Sequence, residues 1–87
     1  MIALVMAEHV TIDSSDRIAG YPVLHQQPCR DGRVVVCDRG EQYRQRYVVA
    51  WQPLAYRGWC DPVFVERRDV AVEVFCVRSK AAHGVRE

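Results

Sequence analysis

Cysteine and histidine are the residues of this chain best suited to bind a metal ion, because thiolate and imidazole groups are the usual zinc ligands. The spacing His25-x3-Cys29-x7-Cys37 places three of them in one segment. The two remaining cysteines, Cys60 and Cys76, stand alone. Structural zinc sites are typically marked by close pairs such as C-x2-C, and the sequence contains none. We therefore expect thiols that pack as small apolar groups, and no metal ligands.

Covalent catalysis by a cysteine would require a nearby base and a lowered thiol pKa. Cys29 or Cys60 could combine with His25 or His9, but the sequence indicates neither condition. The carboxylates are scattered singly, whereas acid–base chemistry usually needs a positioned pair. The glycines are isolated and form no phosphate-binding loop. The sequence therefore predicts a protein that is not an enzyme, with no catalytic residue and no cofactor.

Tyrosine and arginine form the most distinctive cluster, the motif YRQRY at residues 43–47. On a sheet, such side chains can stack on nucleobases and pair with phosphates. The same residue types are enriched at protein interfaces. The candidate binding residues are the aromatic and arginine side chains of this motif and of the segments that follow: Tyr43, Arg44, Arg46, Tyr47, Trp51, Trp59, Arg67, Arg68 and Phe75.

The charge balance argues against nucleic acid as the main partner. The chain has 12 basic and 11 acidic residues, a net charge of +1, without the basic bias of typical nucleic-acid binders. A nucleic-acid-binding regulator is kept as a second hypothesis, with these residues: Arg44, Arg46, Arg67 and Arg68. A third hypothesis is a small-molecule pocket between sheet and helix, lined by these residues: Tyr47, Trp51, Trp59 and Phe75.

A β-hairpin over residues 33–52 must position most of these side chains. Residues 33–37 are rich in valine, and residues 43–52 alternate, with the tyrosines on one face and Arg44 and Arg46 on the other. This alternation predicts one packed face and one partly solvated face. Gly40 is suited to a short loop with positive φ between the strands. Residues 59–66 predict a further strand, which Pro62 places at an edge.

The remaining N-terminal segments give weaker patterns. Residues 2–12 predict a strand, and residues 13–16 a turn or the start of a helix. Residues 21–25 predict a short edge strand, because Pro22 cannot donate to a ladder. Residues 26–32 read as a loop that ends in an Asp-Gly turn.

The C-terminal segment is compatible with a helix over residues 69–83 or with a strand over residues 70–78. In a helix, a wide apolar stripe would cover the sheet, formed by Val70, Ala71, Val74, Phe75, Val77, Ala81 and Ala82. The predicted fold is α+β, an antiparallel sheet of about three to five strands packed by this helix. The alternative is a small all-β open barrel that uses residues 70–78 as its last strand.

Size and apolar content suggest self-association. A chain of 87 residues predicts a single domain, residues 1–87, and 49% of its residues are hydrophobic. Such a small domain hides its apolar surface poorly. The leading hypothesis is therefore a non-catalytic binding or adaptor protein that acts as a homodimer, with a protein or small ligand as its partner.

The cellular context is predicted from composition. The apolar run at residues 1–7 lacks cationic residues and is too short to span a membrane. We expect a cytoplasmic protein with reduced thiols and no membrane partner. Eleven of the 12 basic residues are arginine, a bias typical of GC-rich bacterial genomes, and we expect a bacterial origin, environmental or on mobile DNA.

Overall fold

The computed structural model describes residues 15–82. In this range the chain forms five strands and one helix: β1 (Arg17–Ile18), β2 (Tyr21–Cys29), β3 (Gly32–Asp38), β4 (Tyr47–Pro53), β5 (Cys60–Val65) and α1 (Arg68–Ala82). The strands stand in the sheet in chain order, and each neighbouring pair is antiparallel. The predicted α+β fold, with its C-terminal helix, is observed.

Strands β3 and β4 form the centre of the sheet because their facing positions are apolar and mostly β-branched. Val35 pairs with Ala50, and Val36 pairs with Val49. Both faces of this pair are buried. On one face, Val36 and Val49 pack with Ala71 of α1.

Within residues 15–82 no helix covers the opposite face, and Val35, Cys37, Val48 and Ala50 are fully buried there. The sheet curls into a half-barrel that encloses these side chains. Register shifts lie between Val23 and His25 in β2 and between Val49 and Trp51 in β4, and such bulges increase strand bending. The prediction of one partly solvated face is therefore wrong at the centre of β4.

The structure decides between the helix and the strand that the sequence allowed for the C-terminal segment. Residues 70–78 lie within α1 and are not a further strand. Asp69 accepts a hydrogen bond from the backbone N–H of Val70 at 2.9 Å, which satisfies one of the free donors of the first turn. The open-barrel alternative still describes the curled sheet itself.

Two loop predictions are corrected by the structure. Residues 26–29 belong to β2, and only Arg30 and Asp31 make the turn to β3. The side chain of Gln26 is held in the sheet because its Oε1 accepts a 2.8 Å hydrogen bond from Arg33. Strand β4 begins at Tyr47, so residues 43–46 lie in a loop of residues 39–46 that is longer than predicted.

The positive φ predicted for Gly40 is confirmed, at 100°. The strand predicted over residues 2–12 lies outside the described residues, as does the first half of the turn predicted over residues 13–16.

Candidate interaction surface

Two of the predicted aromatic residues lie at the rim of the half-barrel, in a closed ring of contacts. The Arg39 guanidinium carbon is 4.1 Å from the ring centre of Tyr43 and 4.5 Å from that of Phe64. Tyr43 contacts Tyr21 edge-on, Tyr21 stacks on Trp59, and Trp59 contacts Phe64 edge-on. We call these five residues the aromatic ring cluster. Its cation–π contacts hold the loop of residues 39–46 against β5.

The tyrosine hydroxyl groups of this cluster also interact. The Oη atoms of Tyr21 and Tyr43 are 3.1 Å apart. The pKa of Tyr21 is raised, first because of this hydrogen bond and then because of burial. The Tyr21 hydroxyl therefore stays protonated at neutral pH and can act as a hydrogen-bond donor.

Three other predicted residues lie on the opposite side of the sheet. Tyr47 and Trp51 of β4 pack with Phe75 of α1 in the core between sheet and helix. Trp59 packs with the enclosed face of the half-barrel. These four side chains, which were predicted to line one pocket, are therefore divided between two faces and do not share a cavity.

Carboxylates neutralise two of the predicted phosphate-binding arginines, Arg44 and Arg46. Arg46 donates two hydrogen bonds to Asp38, at 2.7 and 2.9 Å. These hydrogen bonds hold the pKa of Asp38 below its usual value. Arg44 forms an exposed ion pair with Glu66 at 3.1 Å.

Arg67 and Arg68 precede or begin the helix and likewise have partners. Arg67 pairs with Asp69 at 2.6 Å. Arg68 lies 3.4 Å from Nε2 of His25. Burial, with a smaller contribution from Arg68, lowers the pKa of His25, so this imidazole is neutral at pH 7. Of the four arginines, Arg44, Arg46 and Arg67 are paired with carboxylates. Arg68 keeps its positive charge, because its partner His25 is neutral.

The four cysteines differ sharply in exposure, and none forms a disulfide. Cys37 is buried in the half-barrel, which raises the pKa of its thiol to about 11. Cys76 is exposed on the helix. In residues 15–82 no group of three or more His, Cys, Asp or Glu side chains is arranged to hold a metal ion.

We predict that Cys76 is alkylated first and Cys37 last. In dilute, reduced protein at pH 7.5, iodoacetamide should modify Cys37 at least about a hundredfold more slowly than Cys76, because the thiolate is the nucleophile and Cys37 is both buried and protonated. Peptide mass spectrometry with time gives the two rates. Equal rates would contradict the enclosed face of the half-barrel, and denaturant should abolish the difference.

The helix has a second apolar side that faces solvent. Ala71 is fully buried against the sheet, whereas Val77 is 67% exposed. Cys76 is also exposed, and Glu73 and Lys80 lie one turn before and after this pair. We call Glu73, Cys76, Val77 and Lys80 the outer face of α1.

Val77 was predicted to cover the sheet together with the rest of the apolar stripe. The stripe is too wide for one contact, since only the side centred on Ala71, Val74 and Phe75 packs on the sheet. The width of the apolar stripe is the sequence feature that could have indicated a second, outer apolar face on the helix. Arg39, Tyr21 and Phe64 of the aromatic ring cluster were not predicted as site residues, because they come from three separate segments.

Comparisons with known proteins add no relative: the sequence matches no protein-family model and no curated protein, and the structure matches no solved structure. Within residues 15–82, α1 is the one helix and is too short and too polar to cross a bilayer.

Proposed function

We propose that this chain is a non-catalytic binding protein that acts as a homodimer through the outer face of α1. The observation that carries the proposal is Val77, a β-branched residue that is 67% exposed in the middle of a regular helix. A valine at an exposed helix position is slightly unfavourable for helix formation. Burial against another surface would compensate for that cost.

A second copy of the chain fits this face because the face is self-complementary. An acidic residue, Glu73, and a basic residue, Lys80, flank the apolar pair of Cys76 and Val77. A two-fold dimer requires that the same patch meets itself, and a patch of mixed sign can do so without repulsion. One helix pair buries little area, so we expect a reversible dimer with a micromolar dissociation constant, at the weak end of specific interfaces.

Such a dimer leaves the aromatic ring cluster free for a protein or small ligand, which is the adaptor role. A nucleic-acid role has less support, since carboxylates already neutralise Arg44, Arg46 and Arg67. The proposal places the protein in the cytoplasm, where Cys76 stays reduced.

Replacing Val77 with glutamine should weaken the dimer without affecting the fold. The matched control is Leu54→Gln, because Leu54 is 74% exposed on the turn after β4 and distant from the helix in sequence. Sedimentation equilibrium should show a dissociation constant at least about tenfold higher for Val77→Gln and unchanged for Leu54→Gln. Wild-type protein that stays monomeric at about 500 μM, far above the expected micromolar constant, would overturn the proposal.

A further inference from the structure

We infer that the two copies pair their α1 helices antiparallel, so that Glu73 of each copy faces Lys80 of the other. This inference rests on the proposed homodimer and specifies the geometry of that interface. In this geometry, Glu73 and Lys80 determine the relative orientation of the two helices and the choice of partner.

The positions of these residues along the helix support a two-fold axis between Cys76 and Val77. Glu73 lies as far before that point as Lys80 lies after it, about 5 Å along the axis in each direction. Seven residues separate them, so they project within about 20° of each other around the helix. Ala71, which is buried against the sheet, projects on nearly the opposite side.

Charge distinguishes the two ways of pairing the helices. In a parallel pair, Glu73 would meet Glu73 and Lys80 would meet Lys80, and both contacts would be repulsive. In an antiparallel pair, symmetry creates two attractive contacts between Glu73 and Lys80. Among the described residues neither side chain takes part in an ion pair of its own chain, so both are available.

The helix surface also offers room for a second helix. The row of Glu73 and Val77 and the row of Val74 and Arg78 border an open groove of about 400 Å³. Rows spaced by four residues are the ridges that interdigitate in the commonest helix packing. This shallow depression adjoins Val77 on the side away from Cys76, so it can receive side chains at the edge of the interface.

Charge reversal tests the arrangement. Glu73→Lys and Lys80→Glu, each alone, should raise the dissociation constant about tenfold at low salt, since each converts two attractive contacts into repulsive ones. The double variant, Glu73→Lys with Lys80→Glu, should return to within about threefold of wild type. These differences should shrink at 1 M NaCl, where the Debye length is about 3 Å.

Mixing wild-type protein with the double variant separates the two orientations. Antiparallel pairing makes the mixed dimer repulsive at both contacts. Native mass spectrometry should therefore show mainly the two homodimers, with the mixed dimer well below the half of all dimers that random pairing would give. A mixed dimer in excess would establish parallel pairing and overturn the inference. Single variants that dimerise like wild type, while Val77→Gln dissociates, would also overturn it and leave the proposed homodimer intact. A wild-type monomer would instead reject the homodimer.

Discussion

Replacing Gly32 with alanine should lower the free energy of unfolding by about 3 kcal/mol or more, because the added methyl group has no space. A Cβ at this position would lie 2.2 Å from the carbonyl oxygen of Gln52 and 2.8 Å from Cα of Pro53. Both are backbone atoms of β4, which pairs with β3 at this point. They cannot move aside as a flexible side chain could.

Relief of this clash would require β3 and β4 to separate at the end of their ladder, where Gly32 pairs with Pro53. The nearby turn is fixed by a 2.8 Å hydrogen bond from Leu54 N–H to the carbonyl of Asp31. Small domains have a total stability of about 5 kcal/mol at the lower limit, so the variant should keep about 2 kcal/mol or less and unfold at a much lower urea concentration than the wild type.

Gly58→Ala is the matched control, because a Cβ there meets only the ring of Tyr56 at 3.4 Å, an ordinary contact. It should change stability by less than about 0.5 kcal/mol, or raise it slightly by restricting the unfolded chain. Urea unfolding followed by tryptophan fluorescence, at one protein concentration, measures both variants. A Gly32→Ala protein as stable as Gly58→Ala would contradict the observed register of β3 and β4.

The central hairpin could be predicted from sequence because its signals are local, whereas the C-terminal segment was compatible with a helix or a strand. The run of valines at residues 34–36 and the pattern of residues 43–52 each indicate a strand, although β4 begins only at Tyr47. Gly40 marks the loop between them by its positive φ. These features depend on neighbours in the chain, which a single sequence displays directly.

Features that depend on contacts distant in sequence were missed. The sequence predicts that Gln26 lies in a loop. Its position in β2 is explained by the hydrogen bond that its side chain accepts from Arg33, which is distant in sequence. Arg46 reads as a strand residue, but its pairing with Asp38 closes the loop of residues 39–46 before β4 begins. The curl of the sheet, which buries a second face, has no local signature either.

The candidate surfaces were predicted only in part. Tyr43 and Trp59 were selected as aromatic residues, and both belong to the aromatic ring cluster, but nothing in their spacing indicated Arg39 as the residue that closes the ring. The outer face of α1 was not predicted, because Val77 was assigned to the apolar stripe that covers the sheet. Which side of a helix faces the sheet is decided by packing, and here Ala71 lies on that side and Val77 does not.

Arg33→Met should lower the free energy of unfolding by about 2–3 kcal/mol, the second-largest effect we expect. Its guanidinium bonds both carboxylate oxygens of Asp16, at 2.7 and 3.1 Å, and the side-chain oxygens of Gln26 and Gln52, at 2.8 and 2.7 Å. It thereby joins β2, β3 and β4 to the segment before β1. Methionine keeps the apolar stem and removes every one of these donors.

The size of this effect depends on burial, which a second ion pair allows us to test. The side chains of Arg33 and Asp16 are each 21% exposed, whereas Arg44 and Glu66 are 87% and 53% exposed. Arg44→Met should therefore cost less than about 0.5 kcal/mol.

Arg33→Lys should recover only part of the loss, since an ammonium group cannot reproduce the planar fork that reaches three partners. Adding Asp16→Asn to Arg33→Met should restore some stability, because it removes the carboxylate left without its cation. Urea unfolding of the four variants at one protein concentration provides the comparison. Equal costs for Arg33→Met and Arg44→Met would mean that the Arg33 network contributes no more than a solvated surface pair, and that backbone pairing and apolar packing join these strands without it.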